Sequence, residues 1–187
     1  RSLRIWLQTL VPPAITMTLY FVVFGSLLGR NIKIHDFSYI DYIVPGLIMM
    51  SVIQNAYGNI SSSFFGAKFG RYVEEMLVSP MPSWVILTGY VTGAVVRGLI
   101  VGLIVLGLSF FFTTIHIHHV FATLAAVLLA AIVFALAGFV NAVYAKKFDD
   151  VAIVPTFVLT PLTYLGGVFY SVEMLPQPWH TISMANP

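Results

Sequence analysis

Cysteine is absent from the 187 residues, which excludes disulfides, thiolate metal sites and cysteine nucleophiles and leaves the redox compartment open. Charge is scarce: nine Lys and Arg and seven Asp and Glu make up 9% of the chain, against 59% hydrophobic residues. With a mean hydropathy of +0.93 and apolar runs long enough to cross a bilayer, this composition excludes an ordinary soluble domain and indicates an integral membrane protein. Also missing are G-x-x-x-x-G-K-[ST], H-E-x-x-H and G-x-S-x-G, so the chain cannot hydrolyse ATP by itself and carries no signature of a zinc peptidase or a serine hydrolase. No repeat, low-complexity run or soluble domain interrupts it. No small-residue cleavage site follows the first apolar run, so the first span is expected to act as its own targeting signal. The chain opens on Arg1 rather than Met and closes on Asn186-Pro187, a pair suited to a helix start; a trimmed piece of a longer protein, with one further helix, is expected.

What is present is a set of apolar runs that a helix can use to cross the hydrocarbon core, at roughly 20 residues per crossing. Five spans are predicted: Val11 to Leu28, opened by Pro12-Pro13; Tyr42 to Phe65, with Pro45 in its first turn; residues 84 to 115; Val120 to Tyr144; and Val151 to Tyr170. The third exceeds one crossing, so it tilts strongly or projects into water. Positive charge sets the orientation. With the N-terminus inside, Arg1, Arg4, Lys68, Arg71, Lys146 and Lys147 are cytoplasmic, against Arg30 and Lys33 outside and Arg97 within a span. The GRYVEEMLVSPMP and AKKFDD loops then face the cytoplasm, and NIKIHDFSYID, TTIHIHH and the Pro-rich tail face outward.

Within GRYVEEMLVSPMP, Phe69, Val73, Met76 and Leu77 recur at helical spacing while Lys68, Arg71, Glu75 and Ser79 line another face. Arg71 can pair with Glu74 or Glu75, and Pro80 and Pro82 end the helix. By itself this reads as an interfacial helix lying on the membrane. The second span is polar: Ser51, Asn55, Asn59 and Ser62 recur at nearly one-turn spacing, with Gln54 and Ser63 nearby. Such a stripe must meet another helix or a wet cavity, either as interhelical glue or as a translocation path. The apolar run after Arg97 is long enough to place that residue at the cytoplasmic interface, where it would snorkel or reach Glu74 or Glu75. Gly89, Gly93, Gly98 and Gly102, and Ala122, Ala126 and Ala130, carry small-residue spacings that predict close helix packing. His116, His118 and His119 lack a carboxylate and make a poor metal set. Lys146, Lys147, Asp149 and Asp150 read as a solvated, self-neutralising turn.

Two stretches, IVPGLIMMSVIQNAYGNISSSFFGAKFGRYVEEMLVSPMP and FDDVAIVPTFVLTPLTYLGGVFYSVEMLPQPW, resemble type-2 ABC transporter permeases. The similarity is greatest to bacterial Yad-type inner-membrane permeases and more distant to DrrB-like and NodJ-like exporters. It covers residues 1–187 as a single transmembrane domain that lacks a final span and most of an N-terminal connecting helix. The resemblance implies an all-α integral membrane protein with five of six transmembrane helices, a short amphipathic cytoplasmic coupling helix and external Pro-broken half-helices. It implies a homodimer of permease copies among membrane lipids, each copy docked on a cytoplasmic ABC ATPase that carries ATP and Mg. Neither a cofactor nor a metal is expected in this chain, and no nucleic-acid partner. By this likeness Lys68, Arg71, Tyr72, Glu74, Glu75, Leu77, Ser79 and Pro80 belong to the ATPase-coupling helix, with Met76 where the family pattern usually has Leu. Pro155, Pro161, Gly166, Gly167 and Phe169 form the gate or kink, with Leu175-Pro176 outside; Ser51, Gln54, Asn55, Asn59 and Ser62 remain the candidate translocation path.

The leading expectation is therefore the permease subunit of an ATP-driven exporter of an amphipathic cargo, a drug-like molecule, lipid or lipid-linked glycan, in a bacterial inner membrane with a cytoplasmic N-terminus. The alternative is an ion- or proton-coupled carrier, although such carriers usually hold ionisable groups at midplane and only Arg97 qualifies. A membrane-embedded enzyme would need a nucleophile, base and metal set that this sequence lacks.

Overall fold

A computed structural model describes residues 2–28, 33–34, 37–113, 119–170, 176–184 and 186. Helices carry nearly all of it, as backbone groups in hydrocarbon must be satisfied within the segment. In chain order they are α1 (Ser2–Tyr20), running on as a π-helix over Phe21–Leu28; α2 (Tyr39–Phe69); α3 (Tyr72–Val78); α4 (Ser83–Ser109); α5 (Val120–Tyr144); α6 (Phe148–Val154), a π-helical turn over Pro155–Leu159, and α7 (Thr160–Leu165); and α8 (Trp179–Met184). Before α2 a small ribbon pairs β1 (Lys33–Ile34) antiparallel to β2 (Phe37–Ser38), Lys33 opposite Ser38 and Ile34 opposite Phe37. The protein is an all-α membrane protein. Among the described residues three helical stretches are long and apolar enough to cross a membrane, Ser83–Ser109, Val120–Tyr144 and Phe148–Leu165, and Leu10–Gly25 is apolar but shorter. At 31 residues α2 exceeds each of these in length; its Ser, Asn and Gln side chains keep it out of that set.

Several span boundaries differ from expectation, each for a local reason. Pro12 and Pro13 lie inside α1 rather than opening it: proline's fixed φ of about −65° is itself helical, although each ring removes an N–H donor and crowds the carbonyl four residues back. Pro45 likewise sits past the first turn of α2, which begins at Tyr39. The third helix stops at Ser109, whose carbonyl takes the N–H groups of Phe112 and Thr113 at 2.9 Å each in a closing turn. The fourth span matches its predicted limits, and the fifth starts at Phe148 and ends at Leu165.

The chain folds as two compact units, one from residues 1–51, 101–118 and 161–187, the other from 52–100 and 119–160. In the first, Met17 and Phe21 of the first helix, Tyr39, Ile43, Leu47 and Met50 of α2, and Val101 and Val105 of α4 form the buried core. Their three- and four-residue spacings put each set on one helix face. In the second, Val52, Ala56 and Ile60 of α2 meet Ala94 and Val95 of α4 and Ala131 and Ala135 of α5, and Phe64 and Phe65 continue the contact to Ala142 and Ala145.

Lipid is as apolar as leucine, so helices in a membrane associate through close packing and polar contacts rather than through exclusion of water. The second unit is built accordingly. A Cβ on Gly98 would stand 3.0 Å from both the Val52 carbonyl oxygen and Ala56 Cβ, and one on Gly138 would stand 2.7 Å from the Tyr57 carbonyl oxygen and from Ile60 Cγ2. Gly98 thus fulfils its predicted packing role. Gly89 and Gly93 do not, since a Cβ there meets nothing within 4 Å. Ala122 and Ala126 are exposed; the packed small-residue face of α5 is Ala131, Ala135, Gly138 and Ala142. The predicted stripe therefore lies on a different face from the one that packs.

Candidate functional site

The passage from α2 to α3 turns on two residues. Gly70 donates its N–H to the Gly66 carbonyl at 3.0 Å, and Arg71 then adopts φ 60° and ψ 11°, a left-handed conformation that costs a residue with a Cβ about 1–2 kcal/mol. This sharp turn redirects the chain. Glu74 donates its backbone N–H to the Arg71 carbonyl at 3.2 Å, so the bond that joins these two residues is main-chain rather than the predicted ion pair. Glu74 and Glu75 occupy the first turn of α3, where carboxylates complement the helix dipole. The helix closes when Ser79 donates its N–H to the Glu75 carbonyl at 3.2 Å and its Oγ to the Met76 carbonyl at 2.6 Å; Pro80 and Pro82 forbid its continuation.

No residue of α3 is buried. Val73 alone of the helix packs on the Phe64, Phe65, Ala142 and Ala145 cluster, whereas Tyr72, Leu77 and Val78 are exposed, Val78 at 88%. The predicted apolar face is thus only half used: Val73 and Met76 turn inward, while Phe69 and Leu77 stay largely exposed. Beside α3 an open apolar cleft of about 360 Å³ is lined by Met76, Met81, Val85, Ile86, Gly89 and Tyr90.

Lys68 belongs to the last turn of α2 rather than to α3. Its Nζ donates to the carbonyls of Val143 at 2.6 Å and Ala145 at 2.9 Å, the free end of α5, where a cation meets the negative pole of the helix. The rings of Phe65 and Phe69 lie 4.9 and 5.0 Å from that of Phe148, at the start of α6. The root of α3 is therefore fastened to the turn between α5 and α6. In that turn Asp150 accepts the N–H groups of Lys146 at 2.9 Å and Lys147 at 3.0 Å, so it caps α6 instead of neutralising the lysine side chains.

The polar stripe of α2 divides by use. Ser51 donates to the Ile48 carbonyl at 2.7 Å and Ser62 to that of Gly58 at 2.7 Å, hydroxyls returned to their own helix. Gln54 and Asn55 are half-buried. One bond that joins helices here comes from Ser61, whose Oγ donates to the Gly138 carbonyl at 2.9 Å. It was outside the predicted stripe, and its signal, one position from Ser62, lay in the helix phase. Asn59 accepts from Arg97 Nη1 at 2.6 Å. Arg97 thus bonds Asn59 and reaches neither Glu74 nor Glu75; it stands near the middle of α4.

The fifth segment bends its hydrogen bonding rather than ending. Pro155 has no N–H for the Val151 carbonyl, and Asn141 Nδ2 of α5 supplies a donor there at 3.2 Å. The ladder then slips to five-residue spacing, with Thr160 Oγ1 on the Pro155 carbonyl at 2.9 Å, a common response to a residue that cannot donate. Replacing Asn141 by Ala strands that carbonyl, and a loss of about 1–2 kcal/mol is expected, measured as a lowered Tm in detergent; an unchanged Tm would show that the bond carries nothing.

Beyond Pro161, α7 stops at Gly166 and Gly167, the latter at φ 77°, a conformation suited to glycine. Asn186 Nδ2 donates to the Leu162 carbonyl at 2.7 Å and Ser183 Oγ to that of Leu165, so both side chains serve the end of α7. Tyr39 donates to the Phe169 carbonyl at 2.8 Å and Tyr42 to that of Tyr170 at 3.0 Å. The Phe169 ring lies 5.0 Å from Phe24, 5.5 Å from Tyr164 and 5.7 Å from Tyr20. These tyrosines were not predicted; the Tyr39-x-x-Tyr42 spacing was their only trace. Leu175, Arg30, His116 and His118 lie outside the described residues, among which no group of acidic or His side chains could hold a metal.

Comparison with known proteins follows the same outline. A family model described as ABC-2 type transporter matches residues 1–187. The inner membrane transport permease YadH of Escherichia coli K12 is 59% identical over 189 residues, covering 100% of this chain and 73% of that protein, and YadH of E. coli O157:H7 and of Shigella flexneri match equally. No solved structure matches the chain. The helical segments, the turn into α3 and the Pro-interrupted fifth segment thus fall within one continuous match, and the chain belongs to the ABC-2 type transporter family.

Proposed function

We propose that this chain is the permease subunit of an ATP-driven exporter in a bacterial inner membrane, with its N-terminus in the cytoplasm, paired with a second copy and coupled to a separate cytoplasmic ABC ATPase that binds ATP and Mg. The observation that carries the reading is α3: a short helix with no buried residue, an acidic first turn and an apolar tip at Leu77 and Val78. Such a surface gains specificity from a complementary cleft on a partner. Through Lys68 and the Phe69–Phe148 contact its root is tied to α5 and α6, so displacement of α3 by a closing ATPase has a packed route to the fifth segment, where Pro155, Pro161, Gly166 and Gly167 would act as the gate. The cargo is amphipathic and passes along the Ser51, Gln54, Asn55, Asn59 and Ser62 face of α2.

A Val78→Cys variant in intact cells tests the orientation. A membrane-impermeant maleimide should label it only after the inner membrane is opened. Labelling from outside would overturn the reading.

A further inference from the structure

We propose that Arg97 and Asn59 form an intramembrane site for the oxyanion headgroup of an amphiphile, a phosphate carried on an apolar chain. This rests on the permease reading and sharpens its substrate class. Three observations converge. Arg97 stands near the middle of α4, within one of the stretches long and apolar enough to cross a membrane. Its Nη1 bonds a neutral acceptor, Asn59 Oδ1, at 2.6 Å, and among the described residues no carboxylate makes an ion pair with it. Its Nε is buried and bonded to nothing.

A guanidinium carries five N–H donors in a planar fork that matches an oxyanion at two points. Here the fork is held by Asn59 with its charge uncompensated and one donor unmet, and a buried charge left in that state is costly. An oxyanion meets the charge through a charge-assisted bond to the exposed side of the guanidinium, and so neutralises the head. Arg97 is half-buried rather than sealed, so a headgroup can approach it. Asn55 and Ser62 lie one turn to either side of Asn59 on α2, at helical spacing, where a larger polar headgroup would extend.

The test uses the full permease with its ATPase in digitonin micelles, whose neutral sugar headgroups carry no phosphate, and dodecyl phosphate as probe. Wild type should bind it, with dodecyl maltoside unable to compete and inorganic phosphate at least about a hundredfold weaker. Arg97→Gln should lose at least about tenfold in affinity, and Arg97→Lys, which keeps the charge without the fork, should fall between that variant and wild type. Asn59→Asp, which keeps the side-chain shape and gives Arg97 an internal carboxylate, should abolish binding and guards against a variant that merely fails to fold. Undiminished binding by Asn59→Asp, or inorganic phosphate binding as well as the amphiphile, would overturn the proposal. Copurification of the ATPase with every variant separates this outcome from failure of the permease reading.

Discussion

Reversing the acidic turn of α3 with Glu74→Lys and Glu75→Lys is expected to release the ATPase from the purified complex, lowering its recovery by tenfold or more, while the permease itself keeps its Tm to within a few degrees. Both carboxylates are exposed and neither makes an ion pair among the described residues. Their contribution to folding is the dipole interaction of a first turn, about 0.3–1 kcal/mol each. In the proposed docking role their contribution is larger, because like charges facing each other across an interface cost several kcal/mol. The measurement is copurification at two salt concentrations, together with ATPase stimulation in reconstituted membranes. Unchanged recovery at low salt would remove α3 from the coupling role. Leu77→Asp on the exposed tip should act in the same direction without touching the acidic turn.

Gly138→Val is expected to destabilise the permease by about 3 kcal/mol. Even the first added carbon would lie 2.7 Å from the Tyr57 carbonyl oxygen, and that neighbour is main chain and cannot rotate away. To admit it, α5 must withdraw from α2, which also breaks the Ser61 bond to the Gly138 carbonyl. Ala122→Val, on the exposed stretch of the same helix, should stay within about 0.5 kcal/mol of wild type. Thermal unfolding in a single detergent distinguishes the two. Equal Tm values would mean that the two helices are not in close contact at Gly138.

The contrast between those two positions shows what was legible in the sequence. Apolar length is local, so α5 could be read to its ends and α3 placed between two membrane helices by its charges and prolines. Helix phase is relational. The spacing of Ala122, Ala126 and Ala130 is as regular as that of Ala131, Ala135, Gly138 and Ala142, and only the neighbours Tyr57, Ile60 and Ser61 decide which set packs. The partner of Arg97 was hidden for a similar reason: Asn59 lies on another helix, distant in sequence, so no local spacing pairs the two. Lys68 read as part of a coupling surface because its carbonyl partners on α5 are distant in sequence. The tyrosine contacts of Tyr39 and Tyr42 with residues 167–170 depend on how the outer turn folds back, which no periodicity encodes.

The amide that Asn141 lends to Val151 has a bearing on how the fifth segment can swing. A proline hinge in oil normally exposes a bare carbonyl each time it flexes, and that exposure resists the movement. Here the missing partner is borrowed from the preceding helix, so the hinge is quiet only while both helices travel together. Motion that parts them leaves the Val151 oxygen without its borrowed donor, and in the proposed gating role α5 becomes an obligatory passenger of the fifth segment.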